Sequence, residues 1–145
     1  MEFPNLFSPI KINGMELKNR IVMTAMHLGY TPEGEVTDRL IDFYSLRARG
    51  GVGLIIVGGC RFDDYGGMKS MISINDDRFI PGLQRLTSAV KENGAKIAAQ
   101  LFHAGRYAHS SAIGGRTAFS ASAVSLDRTA DAEKAVRPPI EAEWT

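Results

Sequence analysis

Three short apolar runs, separated by two stretches with helical periodicity, constrain the fold of this chain more than any other feature. The predicted strands that contain the runs lie at residues 21–23, 52–57 and 96–101. Short runs rich in β-branched residues are typical of buried strands. Strands that alternate with helices form a parallel sheet with right-handed crossovers. The sequence therefore predicts an α/β fold in which three buried parallel strands lie side by side.

Each predicted helix has its own start and stop signals. The first begins after the N-cap Thr37 and ends at the glycine pair 50–51. The second begins near Pro81, whose fixed φ suits the first helical turn, and ends at Gly94. The apolar faces consist of Leu40, Ile41, Tyr44 and Ala48 in the first helix, and of Leu83, Leu86 and Val90 in the second.

The other segments are predicted to be turns and loops. Asn13 and Gly14, between two short apolar segments, predict a tight β-hairpin because both residue types tolerate positive φ. Residues 58–75 are predicted to be a long glycine-containing loop. Residues 107–145 are rich in Ser, Ala, Gly and Arg, which predicts one long loop of a length seen mainly in functional or disordered segments. Thr145 resembles a helix N-cap.

Composition and charge exclude several classes of protein. The 145 residues, 44% of them hydrophobic, suffice for the core of one domain. The net charge is +1, and the 17 basic residues are spread along the chain, unlike a nucleic-acid-binding surface. No apolar run approaches the roughly 20 residues of a bilayer-spanning helix, and residues 1–4 do not resemble a secretion signal. We therefore expect a cytoplasmic protein that binds neither nucleic acid nor a membrane.

Chemically distinctive residues follow each predicted strand. Residues 24–27 follow the first strand, and Gly58 and Gly59 follow the second. Gln100 lies near the end of the third strand, with His103 beyond it. Parallel strands end at the same edge of a sheet, so these residues are expected to face one ligand. Glycines would let the backbone approach a flat ligand, and an amide offers two donors and an acceptor. The structural alternatives stay open, because glycine pairs usually mark turns and single histidines are more often structural.

The sequence does not support a dinucleotide-binding, serine-hydrolase or metal site. Gly51 and Gly53 do not start a dinucleotide fingerprint, because the third glycine position holds Ile56 and the motif precedes a strand. The chain has no Gly-x-Ser-x-Gly motif, and the histidines lack the spacing of metal ligands. The only cysteine, Cys60, is most simply a small buried apolar group, and it excludes an internal disulfide. We therefore expect no metal within these residues.

Four segments, taken together and in order, resemble the old yellow enzyme family of flavin-dependent ene-reductases. They are residues 19–26, 37–40, 47–56 and 100–106. The resemblance implies an eight-stranded (β/α)8 TIM barrel that binds FMN and reduces activated carbon–carbon double bonds with hydride from NADH or NADPH. Residues 1–145 would then form the N-terminal portion of this FMN-binding domain: about three β/α units preceded by a β-hairpin.

The resemblance also assigns cofactor-binding roles. Thr24, Ala25 and Met26 match residues that hold the edge of the isoalloxazine ring. Gly59 matches a small residue that admits the ring, and Gln100 matches an amide that hydrogen-bonds the pyrimidine end of the flavin.

His27 departs from the family pattern, in which cysteine or threonine is frequent at this position, just as proline is frequent at that of Ala25. His27 is expected near the reactive edge of the flavin, where its charge would tune the reduction potential. Catalytic residues are expected only beyond Thr145.

The segment 23–27 resembles most closely the branch that contains 2-enoate reductases and 2,4-dienoyl-CoA reductases. This resemblance implies a small α,β-unsaturated substrate, with a 4Fe-4S site and FAD only in C-terminal regions outside this sequence. Whether the full-length protein forms a homo-oligomer stays open. The chain alone is expected to be inactive. Two alternatives stay open: a phosphate-binding β/α barrel that uses no flavin, and a non-catalytic piece that completes a barrel with another chain.

Overall fold

A short helix and a hairpin precede the main sheet. The structure is a computed structural model that describes residues 3–122, 124 and 140–141. Helix α1 (Pro4–Phe7) leads into strands β1 (Ile10–Ile12) and β2 (Met15–Leu17), which pair antiparallel. Asn13 in the turn has a φ of 52°. The predicted hairpin is therefore confirmed.

The main sheet is built around β4 (Leu54–Arg61). Strands β3 (Val22–Met23), β5 (Ile72–Ser73) and β6 (Lys96–Phe102) all pair with β4 in parallel. Strand β6 pairs along the length of β4, whereas β3 pairs with its first residues and β5 with its last. The predicted parallel β/α arrangement is confirmed.

The boundary predicted after Val57 was wrong. Strand β4 continues through Gly58 and Gly59 to Arg61, and β5 lies inside the segment predicted as a loop. The strand continues because β6 stays beside it up to Phe102, so that the glycines form an irregularity within the ladder and do not end it.

The two predicted helices are α2 (Asp38–Arg49) and α3 (Ile80–Glu92). The Thr37 hydroxyl accepts a hydrogen bond from the Leu40 N–H at 3.3 Å, which satisfies a free donor at the start of α2. Arg85 of α3 pairs with Asp38 of α2. The predicted apolar faces pack on β4, and their fully buried members are Leu40, Tyr44, Ala48, Leu86 and Val90.

Of the three strands predicted to be buried, only β4 is buried along most of its length. Val22 of β3 is 41% exposed, and Leu101 of β6 is 68% exposed. Within the described residues, β3 and β6 each have one neighbouring strand, whereas β4 has neighbours on both edges. A strand with one neighbour keeps more of its surface in water, which explains why an apolar run alone did not predict burial.

Short elements occur within the segment 107–145 and immediately before it. They include 3-10 turns at Gly105–Tyr107 and Ser110–Ile113, and strand β7 (Phe119–Ser120), which pairs in parallel with β8 (Ile140–Glu141). Thr145, the predicted N-cap, lies outside the described residues. None of the helices in the described part of the chain is long and apolar enough to cross a bilayer.

We predict that Gly58→Ala destabilises the protein, because a Cβ at this position would overlap the backbone of Ala25 and Met26. Overpacking of this kind costs about 1–3 kcal/mol, and backbone atoms cannot move aside as a side chain can. The free energy of unfolding of the complete barrel in urea measures the effect. Gly14→Ala is the matched control, because a Cβ there meets no atom within 4 Å. Equal stability of the two variants would contradict the close packing of β4 on the segment after β3.

Candidate functional site

A cavity of about 480 Å³ lies where β3, β4 and β6 end. This volume falls in the range of small-molecule sites, roughly 300–1,000 Å³. Its walls are mostly apolar, with contributions from the segment after β3, from β4 and β6, and from the loops that follow them. The lining residues are Ala25, Met26, His27, Gly59, Gly67, Met68, Met71, Gln100, Phe102, Ala104, Tyr107, Ala108, His109 and Ala112.

Five of the six predicted cofactor-binding residues line this cavity, and Thr24 does not. Met68, Met71 and Tyr107 form a further wall of the cavity. They lie in segments that were predicted to be long loops, and the sequence assigned no site role to these three residues. Periodicity gives no signal for such residues, because their position depends on how each loop folds back over the strand ends. The common feature that could have marked them is a large apolar side chain in a glycine-rich loop.

A β-bulge in β4 shapes the floor of the cavity. Val57 pairs with Ala99 and Cys60 pairs with Leu101, so Gly58 and Gly59 together face the single residue Gln100. Gly59 has a φ of 61°, which disfavours any residue with a side chain, and a Cβ there would collide with the Met71 methyl group. Bulges of this kind redirect neighbouring side chains and are frequent beside active sites. The glycine pair is therefore required by the backbone at this position.

Gln100 brings the main polar group of β6 to the cavity. Its side chain is exposed and makes no hydrogen bond to any residue that the structure describes. Two N–H donors and one carbonyl acceptor can therefore contact a ligand directly. On the opposite side, His27 Nε2 lies 3.4 Å from the Ser70 hydroxyl oxygen.

His103 has a structural position beside the cavity. Its Nδ1 accepts a hydrogen bond from the Gly105 N–H at 2.8 Å, and its Nε2 lies 3.3 Å from Asp63 Oδ2. The ring also stacks obliquely on Phe62, with 5.5 Å between ring centroids. These contacts join the end of β6 to the loop after β4. These contacts therefore support a structural role for His103 over a role in ligand binding.

Behind the bulge, two titratable groups are buried among apolar side chains. Burial raises the pKa of the Cys60 thiol to about 11. Burial also raises the pKa of the Tyr44 hydroxyl, while a hydrogen bond from the backbone of Gly58 acts in the opposite direction. Both side chains belong to the core between α2 and β4. Within the described residues, no group of three His, Cys, Asp or Glu side chains is placed to hold a metal ion.

Parallel β/α units with an apolar cavity at the carboxyl ends of the strands are typical of β/α proteins that bind a small molecule at this edge of the sheet. The sequence pattern described as the NADH:flavin oxidoreductase / NADH oxidase family matches residues 5–138. The chain belongs to this family, which uses FMN and NAD(P)H.

Similar proteins are considerably longer than this chain. A metal reductase of Desulforamulus reducens is 63% identical over 109 residues, which are 75% of this chain and 16% of that protein. A 2-naphthoyl-CoA reductase, solved in complex with 2-naphthoyl-CoA, has a TM-score of 0.85 at 28% identity over 97% of this chain and 23% of its own. The old yellow enzyme of Pichia sp. AKU4542 has a TM-score of 0.76 at 29% identity over 83% of this chain and 32% of its own.

The predicted family and barrel fold are confirmed. The solved structures are old yellow enzyme TIM barrels, and the described residues correspond to β/α units in the N-terminal part of that barrel. The chain spans 16% of the metal reductase and 23% and 32% of the two solved chains. It therefore corresponds to only a part of each of these proteins.

We predict that, in the folded complete barrel at pH 8, Cys60 resists reagents that react with thiolates. The residue is 1% exposed, and with a pKa of about 11 only roughly one thiol in a thousand is ionised at that pH. Thiol titration with a chromogenic disulfide should therefore show a reaction in urea and a much slower one without it. Rapid labelling of the native protein would contradict the buried position of Cys60.

Proposed function

We propose that residues 1–145 are the N-terminal portion of an FMN-binding barrel that reduces activated carbon–carbon double bonds with hydride from NADH or NADPH. The observation that carries the proposal is that one cavity is lined by Ala25, Met26, Gln100 and Gly59, the second glycine of the bulge in β4. Family membership supports the flavin and the nicotinamide reductant.

The residues of the cavity fit a flavin. Its isoalloxazine ring is flat and largely apolar, with a polar pyrimidine edge that needs hydrogen-bond partners. Gly59 presents backbone without a side chain, Met26 and Met71 offer apolar surface, and Gln100 offers a matching amide. Thr24 does not line the cavity, so we propose that it contacts the flavin only through its backbone.

A bound FMN would supply hydride-transfer chemistry, and the chain contributes the environment of the ring. Gln100 would orient the polar edge by hydrogen bonds. Met68, Met71 and Tyr107 would cover the ring and exclude water. His27 adds an imidazole at the wall, and a positive charge on it would lie beside the ring. We propose this charge as a means of tuning the reduction potential.

For the substrate we propose a small α,β-unsaturated compound of the enoate, enone or dienoyl-CoA type. The similarity to a 2-naphthoyl-CoA reductase supports a thioester among these. The family match argues against a barrel that uses no flavin. A cytoplasmic location, a homo-oligomer, and a 4Fe-4S site and FAD outside this sequence stay predictions.

We predict that Gln100→Leu, in the complete barrel, weakens FMN binding. Loss of the amide leaves polar flavin atoms without partners, which costs about 1–3 kcal/mol and so raises the dissociation constant roughly 5- to 150-fold. Flavin fluorescence during titration of the apoprotein measures the constant. Gln84→Leu, the same change on the exposed face of α3, is the control and should bind FMN normally. Equal affinity of both variants would remove Gln100 from the proposed site.

A second prediction concerns the 145-residue chain by itself. Strands β3 and β6 each have one neighbour within the described residues, so their free edges need further strands to complete a barrel. We therefore expect the isolated chain to aggregate or unfold without cooperativity, and to show no ene-reductase turnover. Gel filtration followed by flavin absorbance tests this. A monomer that unfolds cooperatively and binds one FMN tightly would show that the chain closes its own fold.

A further inference from the structure

A second cavity, of about 260 Å³, lies on the other side of the turn Ser110–Ile113 from the apolar cavity, and Ala112 lines both. Its walls are charged where those of the first are apolar. The charged residues are Glu33, Arg61, Asp64, Lys69, Arg78 and Arg116. They come from the 3-10 turn Pro32–Gly34, the end of β4, the loops before and after β5, and the segment after the shared turn.

Positive charge is in excess in this cavity. Lys69 Nζ donates to Glu33 Oε2 at 2.9 Å, so these two charges balance. Arg61 and Arg116 share one carboxylate, because each has a terminal nitrogen 3.7 Å from Asp64. Arg78 lies over the Phe79 ring, 4.7 Å from its centroid. Among the residues that the structure describes, four cationic side chains and two acidic ones line the cavity, which leaves an excess of two positive charges.

Arg61 is held in a fixed orientation toward this cavity. The residue is 6% exposed, and its Nε donates to the hydroxyl of Ser73, itself fully buried, at 2.7 Å. The 3.7 Å separation from Asp64 is too long for a hydrogen bond, so the terminal N–H groups of the guanidinium can contact a ligand. Burying a cation is costly unless it is paired, and a single shared carboxylate pairs it incompletely. This arrangement is suited to an anion.

We propose that this cavity binds the phosphate group of a reaction partner of the adjacent flavin site. A phosphate monoester carries about 1.5 to 2 negative charges at pH 7, which matches the excess of two, whereas a carboxylate carries only one. Arginine guanidinium groups also match phosphate oxygens in geometry. The phosphate is carried either by the unsaturated substrate or by the nicotinamide reductant. The binding site is defined independently of turnover, but its place in the reaction rests on the proposed function.

The first experiment measures binding of inorganic phosphate to the flavin-loaded complete barrel by calorimetry, with acetate for comparison. We expect phosphate to bind more tightly than acetate, and the double variant Arg78→Gln/Arg116→Gln to bind phosphate at least about tenfold more weakly. Both arginines are exposed, so the variant should fold, and its FMN content verifies this. Arg49→Gln, which removes an exposed charge at the end of α2, is the matched control.

Two outcomes would overturn the site. Either phosphate binds no more tightly than acetate, or the double variant and the Arg49→Gln control bind phosphate equally well. This arm needs no turnover, so its outcome is separate from that of the proposed activity.

The second experiment identifies the carrier of the phosphate. The double variant should raise KM about tenfold for a phosphorylated enone relative to its unphosphorylated form, or for NADPH relative to NADH. The first result assigns the phosphate to the substrate and the second assigns it to the reductant. If the double variant turns over with unchanged KM values for both enones, NADH and NADPH, the cavity has no role in the reaction.

Discussion

The bulge at Gly58 and Gly59 is the constraint on which the site depends. Gly58 allows the backbone after β3 to lie directly against β4, and Gly59 adopts a left-handed conformation beneath the Met71 methyl group. The two residues face Gln100 alone, so the bulge brings the ends of β3, β4 and β6 to one cavity. A side chain at either glycine would have to displace backbone or Met71. The cavity therefore exists because the central strand is irregular where it could have been straight.

The loop after β4 connects the two cavities. Its Met68 and Met71 cover the apolar cavity, whereas Asp64 and Lys69 belong to the charged one. The contact between Asp63 and His103 fixes the start of this loop to the segment after β6. The short strand β5 ends the loop and places Ser73 against Arg61. One loop thus contributes both to a surface suited to a flat apolar ring and to a surface suited to an anion.

The open edges of the sheet explain the unusual exposure of its strands. In a closed barrel every strand has two neighbours, which is how such folds avoid unpaired backbone groups. Within the described residues this condition holds only for β4, and Leu101 of β6 remains largely exposed. The solved relatives, which this chain covers to 23% and 32% of their lengths, are barrels of the same family. The apolar surface of β6 is consistent with packing inside a complete barrel.

The sequence by itself determined the features that depend on local interactions. The Asn13 turn, the Thr37 cap, the helix periods and the order of strands and helices were all predictable, because each depends on backbone preferences or hydrogen bonds within a few residues. Most of the predicted strand-end residues also share one cavity, since parallel strands end at one edge. Only the tertiary structure decided that β4 continues past its glycines, that β5 exists, and that Arg61 is buried against Ser73. These features depend on pairing and charge burial between distant segments, which no local pattern encodes.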